Sequence, residues 1–131
     1  MSEKVELSTP ANTMMPIGPY SHIAKVGQFI TIGGTAGVDP ATGDLAGADV
    51  ASQTKQILDA FEIMLQSVGS DLDHIIHIHV FLADIADFAS MNVAYVEKMG
   101  ERRPARTAIG VTGLPKPGAR VTMNLTAVTR D

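Results

Sequence analysis

Arg106 is the side chain in this sequence most suited to chemistry, because a planar guanidinium matches the two oxygens of a carboxylate. It stands in Arg102-Arg103-Pro104-Ala105-Arg106-Thr107-Ala108-Ile109-Gly110-Val111. Pro104 cannot continue a helix and biases Arg103 towards extended backbone, so the run from Ala105 to Val111 is predicted to be a strand. Period-two alternation puts Arg106, Ala108 and Gly110 on one face and Thr107, Ile109 and Val111 on the other, apolar one. Two very small neighbours beside a guanidinium leave a carboxylate-sized hollow. The competing reading is an ordinary surface or interface salt bridge.

Other groups are weaker candidates. Tyr20 closes a proline-rich loop and is either an aromatic lid or half-buried packing. Gly33-Gly34 ends a strand where backbone can approach an anion, or is simply a terminator. His77 and His79 lie i, i+2, with Cα atoms about 6 to 7 Å apart. That suits two metal ligands, but no third ligand is evident, and two polar groups on a half-buried sheet face is the simpler reading. Asn124 can hold a water or a carbonyl but cannot act as a general base. Asp84 and Asp87 read as caps. The nucleotide-loop glycine spacings are absent, and no Ser-His-Asp arrangement can be defended.

Among the elements that must support these side chains, His22 to Val26 and Phe29 to Gly33 flank Gly27-Gln28, a pairing suited to a type II′ hairpin. Lys4 to Leu7 reads as a short edge strand. Val50 to Val68 shows helical spacing, with Asp49 as its N-cap and Gly69 as its stop. Ile75 to Leu82 is the strongest strand, with Ile76, Ile78, Val80 and Leu82 facing one way and Ile75, His77, His79 and Phe81 the other. A second helix runs from Phe88 to Met99, capped by Asp87, with Phe88, Met91, Tyr95 and Met99 on one stripe. Arg120 to Val128 alternates again. The order implies an α+β fold, two helices covering one face of a mixed sheet of about six strands. The opposite face, polar but lightly charged, is expected to pack against other copies.

The chain has 131 residues, with no internal repeat or linker, and is read as one domain over residues 1–131. With a net charge of −4 and scattered basic residues, it lacks the electrostatic footprint of a nucleic-acid binder. The absence of cysteine removes disulfides, thiolate metal sites and a catalytic thiol. No apolar stretch reaches the length of a membrane span or a signal segment, so a soluble, cytoplasmic protein is expected.

Several pieces together resemble the RidA/YjgF family: Ile17-Gly18-Pro19-Tyr20-Ser21-His22, Pro40-Ala41-Thr42-Gly43, Gln53 with Gln56, Val80-Phe81-Leu82-Ala83-Asp84 with Asp87-Phe88, Asn92 with Tyr95, Pro104-Ala105-Arg106, and Leu114-Pro115. The resemblance spans nearly the whole chain. It implies a chorismate-mutase-like fold, a homotrimer with the free sheet face turned inward, and ligand pockets at subunit interfaces. It also implies cofactor-free hydrolysis of enamine and imine intermediates such as 2-aminoacrylate to 2-keto acids and ammonia. The family's carboxylate clamp falls on Arg106, with Tyr20, Gly33, Gly34 and a neighbouring subunit's Phe88 lining the rest. Three departures stand out: Gly33 replaces a small polar residue, Ala108 replaces Cys or Ser, and the water-positioning glutamate aligns with Asn124 if Pro117-Gly118 absorbs an extra residue. A slower or differently specific deaminase is therefore the first expectation. A non-catalytic trimeric carboxylate binder is the alternative, and a ribonuclease or translation inhibitor, a name some members carry, ranks last.

Overall fold

The computed structural model describes residues 4–131. Its strands are β1 (Glu6–Ser8), β2 (Ile23–Val26), β3 (Phe29–Ala36), β4 (Ile75–Leu82), β5 (Ala105–Gly110) and β6 (Val121–Val128). Helix α1 (Val50–Ser67) lies between β3 and β4, and α2 (Phe88–Met99) between β4 and β5. The six strands form one sheet in the order β1-β2-β3-β6-β4-β5. Only β4 and β5 pair in parallel. A parallel pair requires a crossover, and α2 is that crossover. As expected from the amino-terminal segment, β1 lies at an edge.

Local chemistry sets the element ends. The β2-β3 hairpin closes at Val26 and Phe29, and Gly27 at φ +59° occupies the left-handed first position that a primed turn needs. Asp49 caps α1, its carboxylate accepting from Ser52 N at 2.9 Å. Gly69 at φ +80° takes the chain out of that helix, and Gly100 at φ +65° ends α2.

The core lies between the helices and one sheet face. Ile57, Leu58, Phe61, Met64 and Leu65 of α1 pack there with Met91, Tyr95 and Met99 of α2. The sheet answers with alternate residues, most regularly Val121, Met123, Leu125 and Ala127 of β6. Thr122, Asn124, Thr126 and Val128 face outward and are half-buried. Gln53, fully buried, ties α1 to the loops at the sheet's end. Its Nε2 donates to the Gly47 and Gly118 carbonyls at 2.9 and 3.2 Å, and its Oε1 accepts from Arg120 N at 2.8 Å.

Four sequence expectations need correction. Ile75 is buried and Ile76 is 46% exposed, because β4 slips by one residue against β6 between Ile75 and His77, and Ile76 is the extra residue. Asp87 stands at the N-cap position of α2, but its side chain makes no capping hydrogen bond. A single 3-10 turn, Ile85–Asp87, comes first and is capped by Asp84, while the Asp87 carboxylate pairs with Arg120 at 2.8 Å. Phe88 is 40% exposed and lies off the buried stripe of Met91, Tyr95 and Met99. On β5, Arg106 and Ala108 lie opposite Ile78 and Val80, which are core residues. Arg106 and Ala108 therefore share the helix-side face, and Ile109 on the supposedly apolar face is 46% exposed.

Candidate functional site

Arg106 leaves β5, an edge strand, on the side covered by α2. Its guanidinium carbon lies 4.7 Å from the centroid of the Tyr95 ring and 5.7 Å from that of Phe88. Those aromatic faces hold a cation by quadrupole attraction without consuming its N–H donors. The other four arginines are engaged: Arg102 on Asp73, Arg120 on Asp87, Arg103 on the Gly100 carbonyl and Arg130 on the Ser70 carbonyl. Among the described residues, Arg106 has neither an ion pair nor a hydrogen bond.

Beside it is an open hollow of about 500 Å³, lined by Asn92, Tyr95, Val96, Arg103, Pro104 and Arg106. Asn92 Oδ1 and the Tyr95 hydroxyl are buried there without partners among the described residues. Burial pushes the Tyr95 phenol above its ordinary pKa, with Arg106 and Arg103 opposing that shift. Sequence reasoning gave Asn92 and Tyr95 no role at the site. Their i, i+3 spacing on α2 was the available signal, since it sets both side chains on one helix face. A fork of donors on aromatic faces, with an amide and a phenol alongside, suits a small planar carboxylate.

The second group of site residues lies elsewhere. A cavity of about 780 Å³ is lined by Tyr20, His22, Gly33, Gly34, Phe81 and Thr122, with the Met14-Met15 and Pro115–Pro117 loops around them. The register of β3 against β6 shifts between Ile32 and Thr35, so Gly33 and Gly34 form a bulge. Gly33 N donates to the His22 carbonyl at 2.9 Å. A Cβ on Gly34 would meet nothing within 4 Å, so this glycine borders open space. The Tyr20 hydroxyl accepts from Ile17 N at 3.3 Å, which folds the proline loop around the ring.

Phe81 and Thr122 place this cavity on the outer sheet face, whereas Arg106 is on the helix side. Between β3 and β5 stand β6 and β4, three interstrand steps or about 14 Å. Within one chain, then, Arg106, Phe88 and Ala108 form one group and Tyr20, Gly33 and Gly34 another. Asn124 belongs to neither. It is not on a strand next to β5, because β4 intervenes, and its Oδ1 is held by His79 Nδ1 at 2.8 Å. Thr122, two residues earlier on the same outer face, is the residue that lines the cavity.

His77 and His79 stack at 4.3 Å with an interplanar angle of 12°. His77 Nε2 also meets Thr107 Oγ1 at 3.0 Å. Among the described residues, no cluster of three or more His, Asp or Glu side chains could hold a metal ion. No helix is long and apolar enough to cross a membrane, again among the described residues.

Solved structures with this arrangement of sheet and helices include RidA from an Antarctic Psychrobacter (29% identical, TM-score 0.88, covering 94% of this chain and 98% of that one). The YjgF gene product of E. coli is 30% identical, with a TM-score of 0.86 over 95% of this chain and 99% of that one. The sequence profile described as endoribonuclease L-PSP matches residues 10–129. The class is thus the chorismate-mutase-like α+β fold of RidA proteins, and the chain belongs to the endoribonuclease L-PSP family, the RidA/YjgF group. Among its relatives, a RutC family protein of Pyrococcus horikoshii is 43% identical over 105 residues, covering 80% of this chain and 83% of the relative. The 2-iminobutanoate/2-iminopropanoate deaminase of Bos taurus is 37% identical over 123 residues, covering 94% and 89% respectively.

Proposed function

We propose that this protein hydrolyses small 2-imino acids and their enamine tautomers to 2-keto acids and ammonia, with Arg106 holding the substrate carboxylate. The observation that carries this reading is the Arg106 guanidinium on the Tyr95 and Phe88 rings, without a polar partner among the described residues. The names of the mammalian relatives support the reaction class.

One chain offers only half of the binding surface on each side. A second copy would bring its Tyr20, Gly33, Gly34 and Thr122 wall against Arg106, Phe88 and Ala108, in a homotrimer whose outer sheet faces turn inward. That outer face fits such burial, because His77, His79, Asn124 and Thr126 are polar and carry no carboxylate or ammonium, with His79 bonded to Asn124 and His77 to Thr107. No cofactor is required: a carboxylate fixed by two N–H donors presents the imine carbon to water, and orientation supplies much of the rate.

The test generates an imino acid with an amino-acid oxidase and times ammonia release. Acceleration by the wild type and loss of it in Arg106→Ala supports the reading, and equal rates for wild type, variant and buffer reject it. The non-catalytic binder keeps one observation in its favour: neither Thr122 nor Asn124 supplies the carboxylate that would position water. Its signature is calorimetric binding of 2-oxobutanoate without turnover.

A further inference from the structure

The hydrolysis proposed above needs a group that accepts a proton from the attacking water, and apart from His22 none of the side chains placed at either wall of the site is a base at neutral pH. Arg106 has no lone pair to give, and the hydroxyl of Thr122 and the amide of Asn124 are not bases. His22 was noted in sequence only as part of a motif and as the start of a strand. It is 2% exposed, lines the 780 Å³ cavity beside Tyr20, Gly33 and Thr122, and packs edge-on against the Tyr20 ring at 5.8 Å. Its backbone is pinned on both sides: N donates to Thr9 Oγ1 at 3.1 Å and O accepts from Gly33 N at 2.9 Å.

Both ring nitrogens of His22 are buried and neither has a hydrogen-bond partner among the described residues. With only the Met14 and Met15 backbone near the ring, a neutral imidazole in such a place keeps its lone pair uncommitted, which folded proteins seldom leave without a use. The other ionisable side chains of the cavity wall are Tyr20 and Lys116, and no carboxylate is among them. An ammonium cannot accept a proton.

We propose that His22 is the proton acceptor and donor of the Tyr20 cavity in imine hydrolysis. This rests on the deaminase reading and extends it. As the water oxygen bonds to the iminium carbon, the C=N π pair moves to nitrogen and one water proton passes to His22, directly or through one further water. The resulting carbinolamine collapses when the His22 proton returns to nitrogen and the C–N bond breaks. The hydroxyl proton leaves with ammonia as ammonium, and the keto acid remains. Burial holds the ring below the ordinary histidine pKa, only partly offset by the backbone of Met14 and Met15. The base form therefore prevails at neutral pH.

Two measurements test the role. In the wild type, kcat should fall on acidification along a limb whose midpoint matches the pKa of His22 read by NMR titration of its imidazole. In His22→Gln, kcat should fall at least tenfold with KM changed less than threefold, and the acid limb should vanish. The native circular dichroism and oligomeric state of the variant are checked alongside, and if it fails to fold the midpoint comparison decides alone. An active wild type whose limb does not match the His22 titration, or a His22→Gln profile superimposable on wild type, overturns this proposal and leaves the Arg106 reading standing. An inactive wild type removes both.

Discussion

Arg106 lies over the ring of Tyr95, 4.7 Å from its centroid, and the Tyr95 hydroxyl beside it is buried without a partner among the described residues. The aromatic ring holds the cation in place while all of its N–H donors stay free. That separates the group's support from its ligand, whereas a carboxylate support would occupy the same donors that a substrate needs.

Replacing Tyr95 should distinguish ring from hydroxyl. Tyr95→Leu is expected to weaken 2-oxobutanoate binding by about two- to thirty-fold, the range of a cation–π contact as it becomes desolvated. Tyr95→Phe keeps the ring and is expected to stay within about threefold. Calorimetric titration of both variants provides the check.

Acid should destabilise the fold in two stages. The folded-state pKa of His22 is depressed, so the unfolded chain binds more protons as pH falls past the ordinary histidine value of 6.5, and stability declines from there through the folded pKa. Asp49, Asp59 and Asp71 are also depressed, Asp49 and Asp71 by hydrogen bonds from Ser52 and His74, and Asp59 by Lys55 and Lys98 against an opposing burial cost. Their contribution is present above pH 3.8 and is lost below it. Melting temperatures from pH 7.5 to 3 should show both declines, and His22→Gln should flatten the first alone.

Gln53 should prove structurally critical although it is remote from Arg106. Gln53→Ala strands two carbonyls and the Arg120 amide, and at about 1 kcal/mol or more for each unsatisfied group a loss of about 2–4 kcal/mol is expected. Gly37→Ala should be at least as harmful, since its Cβ would fall 2.6 Å from the Gln53 carbonyl oxygen. Urea unfolding gives both numbers.

The shared-crevice arrangement predicts complementation. Tyr20→Ala and Arg106→Ala should each be inactive alone, yet mixed after reversible dissociation they should regain activity, because some interfaces then combine two intact walls. Ammonia release from the mixture, compared with the separate variants, reads the result. No recovery despite verified subunit exchange would place both residues in one chain's site or remove one of them from it.

What the sequence revealed follows from where periodicity decides structure. Helix α1, with its Asp49 cap and Gly69 stop, and strand β6, with its strict alternation, were legible because burial on one face alone sets their patterns. The Ile75-Ile76 slip was hidden, since two adjacent isoleucines satisfy either facing. The orientation of β5 was hidden because its parallel partner β4, not its own alternation, determines which face meets α2. Asp87 looked like a cap because the sequence does not display its distant partner Arg120. At the site, Arg106 was singled out by its residue type, its place after Pro104 and its small same-face neighbours Ala108 and Gly110. Thr122 and Asn124 share a face, so alternation could not choose between them, and only the course of the Pro115–Pro117 loop shows which one meets the cavity.

The most direct test of the carboxylate clamp is a crystal structure of the protein soaked with 2-oxobutanoate. The keto acid's carboxylate is expected within about 3 Å of two Arg106 guanidinium nitrogens, above the Tyr95 ring and facing the Tyr20 wall of a second copy. A carboxylate seated on Arg103 or Lys116 instead, with Arg106 untouched, would contradict the account.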